Sequence, residues 1–147
     1  MKGLMVALML LVTMFSSASA QDAEIKKMSE IDTSKGIIVL DFMATWCGPC
    51  RIQMDELKKV QERYGDKIRI ISVDVDPRET VGLLANYRKE VGAEWGFAMD
   101  DNGAFNTYRN FLGGIPTLVL LKDGEMVYRH VGVTSSSDLI REIEKVL

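Results

Sequence analysis

Residues 37–44 read Ile-Ile-Val-Leu-Asp-Phe-Met-Ala, a short apolar run rich in β-branched residues and bounded by Gly36, which is the pattern of a buried strand. From Cys50 the period changes. Cys50, Met54, Leu57, Val60 and Tyr64 recur at spacings of three and four, one face of a helix that Gly65 ends. Residues 68–75 are again almost continuously apolar, so strand, helix and strand follow one another and predict a βαβ unit with parallel strands, stopped by Asp76-Pro77. Val81, Leu84, Tyr87 and Val91 predict a helix over 79–91. A brief strand is expected over 95–99, a turn at 100–103 and another helix over 104–111. Two further apolar runs, 117–121 and 125–131, flank Lys122-Asp123-Gly124, an Asp-Gly hairpin signal. Ser135-Ser136-Ser137-Asp138 caps a last helix whose inward face is Leu139, Ile143, Val146 and Leu147. Ahead of all this, Ile25, Met28 and Ile31 predict a short helix within 21–35.

The first twenty residues follow a different rule. Lys2, an apolar stretch from 4 to 15 broken only by Thr13, and the small residues Ala18-Ser19-Ala20 form the pattern of a secretory signal peptide cleaved before Gln21. An N-terminal membrane anchor is the alternative, but the apolar core is shorter than the roughly 17 to 25 residues a span needs. Removal of 1–20 leaves 127 residues, one domain over 21–147 with a core of its own. That domain carries 17 basic and 21 acidic residues with no block of like charge, which gives no support to nucleic-acid binding or to tight adhesion to an anionic membrane.

Cys47 and Cys50 are the only cysteines and stand at the junction of the first long strand and its helix. Two residues between cysteines let both sulfurs meet in the first helical turn, where unpaired N–H groups and the helix dipole favour a thiolate. A structural zinc needs four ligands, and the chain adds only His130, remote in sequence. No histidine follows Cys50, which removes covalent haem attachment. A purely structural disulfide would close so small a loop that it would add little stability. Redox chemistry is the reading that remains strongest.

Four segments carry a family resemblance: Asp41-Phe42 followed by Trp46-Cys47-Gly48-Pro49-Cys50, then Gly114-Ile115-Pro116-Thr117-Leu118, Lys122-Asp123-Gly124-Glu125, and Val131-Gly132. In this order they resemble the thioredoxin superfamily from about residue 36 to the end. The resemblance implies an α/β fold, a central mixed sheet flanked by helices. Between Asp76 and Ile115 the chain is longer than a thioredoxin by enough for one helix and one strand, which is similar to the extracytoplasmic thiol-disulfide reductases, the redoxin group that includes the cytochrome c maturation thioredoxins. Two positions depart from the pattern. Asp55 stands where many relatives have a kinking proline, and Ser72 where thioredoxin keeps a lysine near its buried aspartate.

The resemblance implies roles. Cys47 would be the exposed nucleophile and Cys50 the shielded resolving thiol. Asp41, a carboxylate inside an apolar strand, would accept the proton of Cys50, although alternation alone also allows a solvent-facing edge position. Pro116 would be the cis-proline facing the disulfide, with Ile115, Trp46, Gly48 and Pro49 contacting an extended substrate. Trp95 is expected to anchor the extra segment to the core, and His130 to lie on the surface. No metal and no cofactor beyond the Cys47–Cys50 disulfide is expected. The function implied is an enzyme, a monomeric protein-disulfide reductase recharged by a membrane thiol transporter, with apocytochrome c or another exported thiol protein as substrate. A thiol oxidase or isomerase of the same fold, and a thioredoxin-like metallochaperone or binding module, are the alternatives.

Overall fold

The computed structural model describes residues 25–108 and 113–147. The signal-peptide reading and residues 21–24 lie outside them. The chain forms β1 (Lys26–Lys27), β2 (Ile37–Met43), α1 (Gly48–Tyr64), β3 (Arg69–Asp74), α2 (Val81–Val91), β4 (Gly96–Met99), α3 (Ala104–Tyr108), β5 (Thr117–Lys122), β6 (Glu125–Val131) and α4 (Ser136–Glu144). The helix expected over 104–111 is thus seen as far as Tyr108, and the rest of it lies outside the described residues.

These strands make one mixed sheet in the order β1-β4-β3-β2-β5-β6. β1, β4, β3 and β2 run parallel, β5 runs antiparallel to β2, and β6 antiparallel to β5. β2 lies at the centre with both faces covered, which is why all seven of its residues are buried and its sequence is apolar except for Asp41 rather than alternating. Val39 and Met43 face the cluster built by α1, α2 and α4, whereas Ile38, Leu40 and Phe42 face the opposite cluster with Ala104, Phe105 and Tyr108 of α3. Asp41 therefore shares the α1 side of the sheet with Val39 and Met43.

The extra segment is a second βαβ step. α2 leads from β3 to β4, and β4 pairs parallel with β3, Ser72 opposite Phe97 and Asp74 opposite Met99. Thr80 caps α2 by accepting from the Leu83 N–H, and Gly92, with φ +66°, closes it in the left-handed conformation. α1 runs unbroken through Asp55, as expected without a proline there. At the β5–β6 turn both Asp123 and Gly124 have positive φ, the requirement that Asp-Gly meets.

The helix expected within 21–35 is not formed. Lys26 and Lys27 instead extend the sheet, pairing with Ala98 and Met99, and Met28–Glu30 make a single 3-10 turn. Ile25 packs on the α1 side of the sheet, while Met28 and Ile31 pack on the α3 side. The three residues thus serve two cores, which one helical face cannot do. Open backbone groups on β4, together with the Asp101 carboxylate accepting from the Ser29 N–H at 2.9 Å, supply what an isolated turn of helix would lack.

Candidate active site

β2 delivers the chain to the site and α1 carries it away. After Met43, the Cys47 N–H closes a turn on the Ala44 carbonyl at 3.2 Å, and Cys47 becomes the N-cap of α1. Its sulfur accepts from the Cys50 N–H at 3.2 Å, so one of the unpaired donors of the helix end points at it. Pro49 sits in the first turn, where a missing N–H costs nothing. The two cysteines form a disulfide, their Cα atoms 5.2 Å apart.

The sulfurs are less open than the sequence suggests. Cys47 is 5% exposed and Cys50 0%, so attack from outside can reach only Cys47. Exposure is small because the Ile115–Pro116 segment lies over the bond, with the Ile115 carbonyl oxygen 3.8 Å from the Cys47 sulfur. The Ile115–Pro116 peptide is cis. The segment is held from both ends: Thr117 Oγ1 donates to the Gly114 carbonyl at 2.6 Å, and the Gly132 N–H donates to the Pro116 carbonyl at 2.8 Å. Trp46, Gly48 and Pro49 are exposed around Cys47, Trp46 at 64%. Asp41, Cys47, Cys50, Ile115 and Pro116 are thus gathered at one end of the sheet. His130 is an exposed residue of β6.

Asp41 is fully buried, which disposes of the edge-strand alternative. Its Oδ2 accepts from the Ser72 hydroxyl at 2.8 Å, across the β2–β3 register that sets Asp41 opposite Ser72. Oδ1 has no hydrogen-bond partner among the described residues. Burial pushes the carboxyl up to about 7, with the Ser72 bond opposing only part of the rise. Ser72 in turn accepts from the Trp95 indole N–H at 2.9 Å, so Trp95 does anchor the extra segment, and through a polar contact as well as packing.

A second group of acids lies behind Thr45 and Trp46. Glu79 accepts from the Thr45 hydroxyl at 2.7 Å and from the Thr45 N–H at 3.2 Å. Asp76 accepts from the Trp46 indole N–H at 2.8 Å and from the Arg78 guanidinium at 2.7 Å. The Arg78 bonds, side chain first and then backbone, together with Trp46, hold the Asp76 carboxyl well below the usual carboxylate range. Asp74, buried and facing Glu79, is pushed upward, first by burial and then by that neighbour. Sequence reasoning did not single out these acids. The available signal was position: Asp74 and Asp76 end the strand parallel to the one that delivers Cys47, and sites in such sheets lie beyond the carboxyl ends of strands.

Comparison with known proteins agrees with this geometry. The thioredoxin family model matches residues 17–88. Thioredoxin of Listeria monocytogenes is 32% identical over 116 residues, covering 79% of this chain and 88% of that protein. Among solved structures, a thiol:disulfide interchange protein of the thioredoxin family from Chlorobium tepidum superposes with a TM-score of 0.66 at 25% identity, covering 77% of this chain and 81% of that one. The exposed lipoprotein thioredoxin Etrx1 of Streptococcus pneumoniae, at 19% identity and a TM-score of 0.63, covers 76% of this chain and 86% of that one and shares the fold. With a buried disulfide at a helix N-terminus, one sulfur reachable and a cis-proline over it, the chain belongs to the thioredoxin family and is a thiol-disulfide oxidoreductase whose active-site pair is Cys47–Cys50.

Proposed function

We propose that the protein works outside the cytoplasm as a reductase of disulfides in exported proteins. The observation that carries the direction of electron flow is the balance of charge beside Cys47. Its sulfur accepts one backbone N–H, while the side chains bound to Thr45 and Trp46, immediately before it, are the carboxylates Glu79 and Asp76. No histidine stands between the cysteines. A thiolate with little cationic support is a stronger electron donor, because its disulfide form is relatively favoured. The short apolar N-terminal segment supports the location, as does the fold shared with a thioredoxin named as an exposed lipoprotein.

In the forward reaction the Cys47 thiolate attacks one sulfur of a target disulfide, forming a Cys47–target bond and releasing the other target sulfur as a thiol after protonation. Cys50 gives its proton to the Asp41 carboxylate and attacks the Cys47 sulfur. The second target thiol leaves, two electrons have passed to the target, and the Cys47–Cys50 disulfide remains. Pro116 and the Ile115 backbone would hold the target segment against Cys47, with Trp46, Gly48 and Pro49 as the exposed rim. A space that favours disulfides requires a donor to recharge the pair, for which a membrane thiol transporter is suited, and apocytochrome c is one substrate of the required kind.

Equilibration of the Cys47/Cys50 couple with glutathione tests the proposal. The potential should fall within about 50 mV of the thioredoxin value of about −270 mV. A value near −120 mV, typical of strong oxidants, would overturn it and make the protein a disulfide donor.

A further inference from the structure

We infer that Trp95 and Ser72 form a one-way hydrogen-bonded chain by which the α2–β4 unit positions the Asp41 carboxylate and decides which of its oxygens is left to take a proton. The direction of the chain follows from donor chemistry. An indole N–H can only donate, so in the 2.9 Å contact with Trp95 the Ser72 oxygen is the acceptor. The hydroxyl has a single hydrogen, and it is thereby aimed at Asp41 Oδ2, 2.8 Å away. The other acceptor within reach is the thioether sulfur of Met54 at 3.9 Å, which is far weaker. With Oδ2 committed, Oδ1 is the oxygen without a partner, buried on the side of the sheet that α1 covers with Cys50 and Met54.

The inference rests on the reading of Asp41 as the proton acceptor for Cys50, and it adds two positioning residues that do not touch the reacting sulfurs. It also gives the extra segment a task beyond packing. Trp95 lies between α2 and β4, so its indole N–H links the segment to the Asp41 carboxylate by way of Ser72. The face of the sheet that carries Asp41 is covered by Cys47 and Cys50 at the start of α1 and by Tyr87 from α2, on which the Asp41 charge acts; Arg51, Glu90 and Glu79 act on Tyr87 in turn. From β5 the residue opposite is Leu118, which carries no charge.

The test is a carboxyl titration by NMR on the oxidised protein, in which the cysteines do not titrate. Ser72→Ala should raise the Asp41 midpoint by about one unit, because a bond to the charged form is lost. Trp95→Phe should shift it in the same direction by less, since the hydroxyl becomes free to turn away. Ser72→Thr, which keeps the hydroxyl, should restore the native midpoint. In the Ser72→Ala background, Trp95→Phe should add nothing further. In the unsubstituted protein the Trp95 indole N–H resonance should move with the Asp41 midpoint, a readout that survives if a variant fails to fold. An indole signal indifferent to that titration, or shifts that add in the double variant, would overturn the chain. Resolution of the mixed disulfide at the native rate by Asp41→Asn would instead overturn the proton-acceptor reading, so the two failures are distinct.

Discussion

Two tryptophan–carboxylate assemblies occupy this end of the sheet, and they are built to opposite electrostatic ends. On the buried side Trp95 reaches Asp41 through Ser72, with no cation bonded to the carboxyl among the described residues, and burial pushes it up to about 7. On the open side Trp46 donates straight to Asp76, which also holds Arg78 and stays well below the usual range. The first carboxyl changes protonation state near neutral pH and can exchange a proton with a thiol. The second is a fixed negative anchor for the loop that presents Cys47. Each joins a tryptophan to an aspartate, and what separates the two is desolvation against pairing with a cation.

The hardest break removes the Cys47–Cys50 disulfide that both assemblies serve. Cys47→Ser should abolish reduction of insulin disulfides, while Cys50→Ser should accumulate a mixed disulfide with the target because resolution is lost. Turnover at the native rate by Cys50→Ser would mean that the two-thiol route is wrong. Next in size is Asp41→Asn, which removes the proton acceptor and leaves the attack of Cys47 in place. Resolution should slow by roughly 10²-fold, the usual contribution of a positioned base, in stopped-flow measurement of target release near pH 7. Asp76→Asn should leave that rate unchanged.

Protein stability gives a third comparison, with opposite signs for the two acids. Asp41 is raised in the folded state, so between about 4 and about 7 the folded protein holds a proton the unfolded chain has released. Its contribution is therefore fully present below about 4, is lost as the pH rises towards 7, and is on the order of 4 kcal/mol at most. Asp74, also raised, adds to the same slope. Asp76 is lowered, so its contribution is present above the unfolded carboxylate value and is lost as the pH falls through its folded one. Denaturant unfolding of the oxidised protein should show this loss between about pH 4 and 7, and Asp41→Asn should flatten it. An Asp41→Asn profile parallel to the native one would mean that Asp41 is ionised throughout.

These two assemblies also mark how far the sequence could be read. The Cys47–Cys50 pair, the acid inside an apolar strand and the Ile115-Pro116-Thr117 segment were legible because each is a local anomaly against its surroundings: a short spacing, a charge among β-branched residues, a proline at a strand entrance. The β2–α1–β3 unit was legible because both strands are buried on two faces and the helix keeps a single period. The indole partners were not. Trp46 and Trp95 are each 30 or fewer residues from the acceptor they find, and only the parallel pairing of β2, β3 and β4 brings those acceptors alongside. The segment 25–31 misled for a related reason. Its apolar spacing fits a helix, but the free edge of β4 and the two separate cores that it serves are properties of the assembled sheet.

The smallest effect is expected at Arg78, and it sharpens the contrast most. Arg78 is largely exposed, its side chain at 82%, so its pairing with Asp76 is well screened by water and salt. Arg78→Ala should let the Asp76 carboxyl rise towards its ordinary range, which still leaves it ionised at pH 7. The Trp46 indole bond and turnover should then be unchanged at neutral pH, and the loss of stability should be confined to acid, where Asp76 now protonates sooner. The measurement is turnover at pH 7 beside unfolding at pH 3 to 5. A fall in turnover at pH 7 would mean that the Arg78 cation itself supports the Cys47 thiolate, and the charge balance that favours electron donation would have to be redrawn.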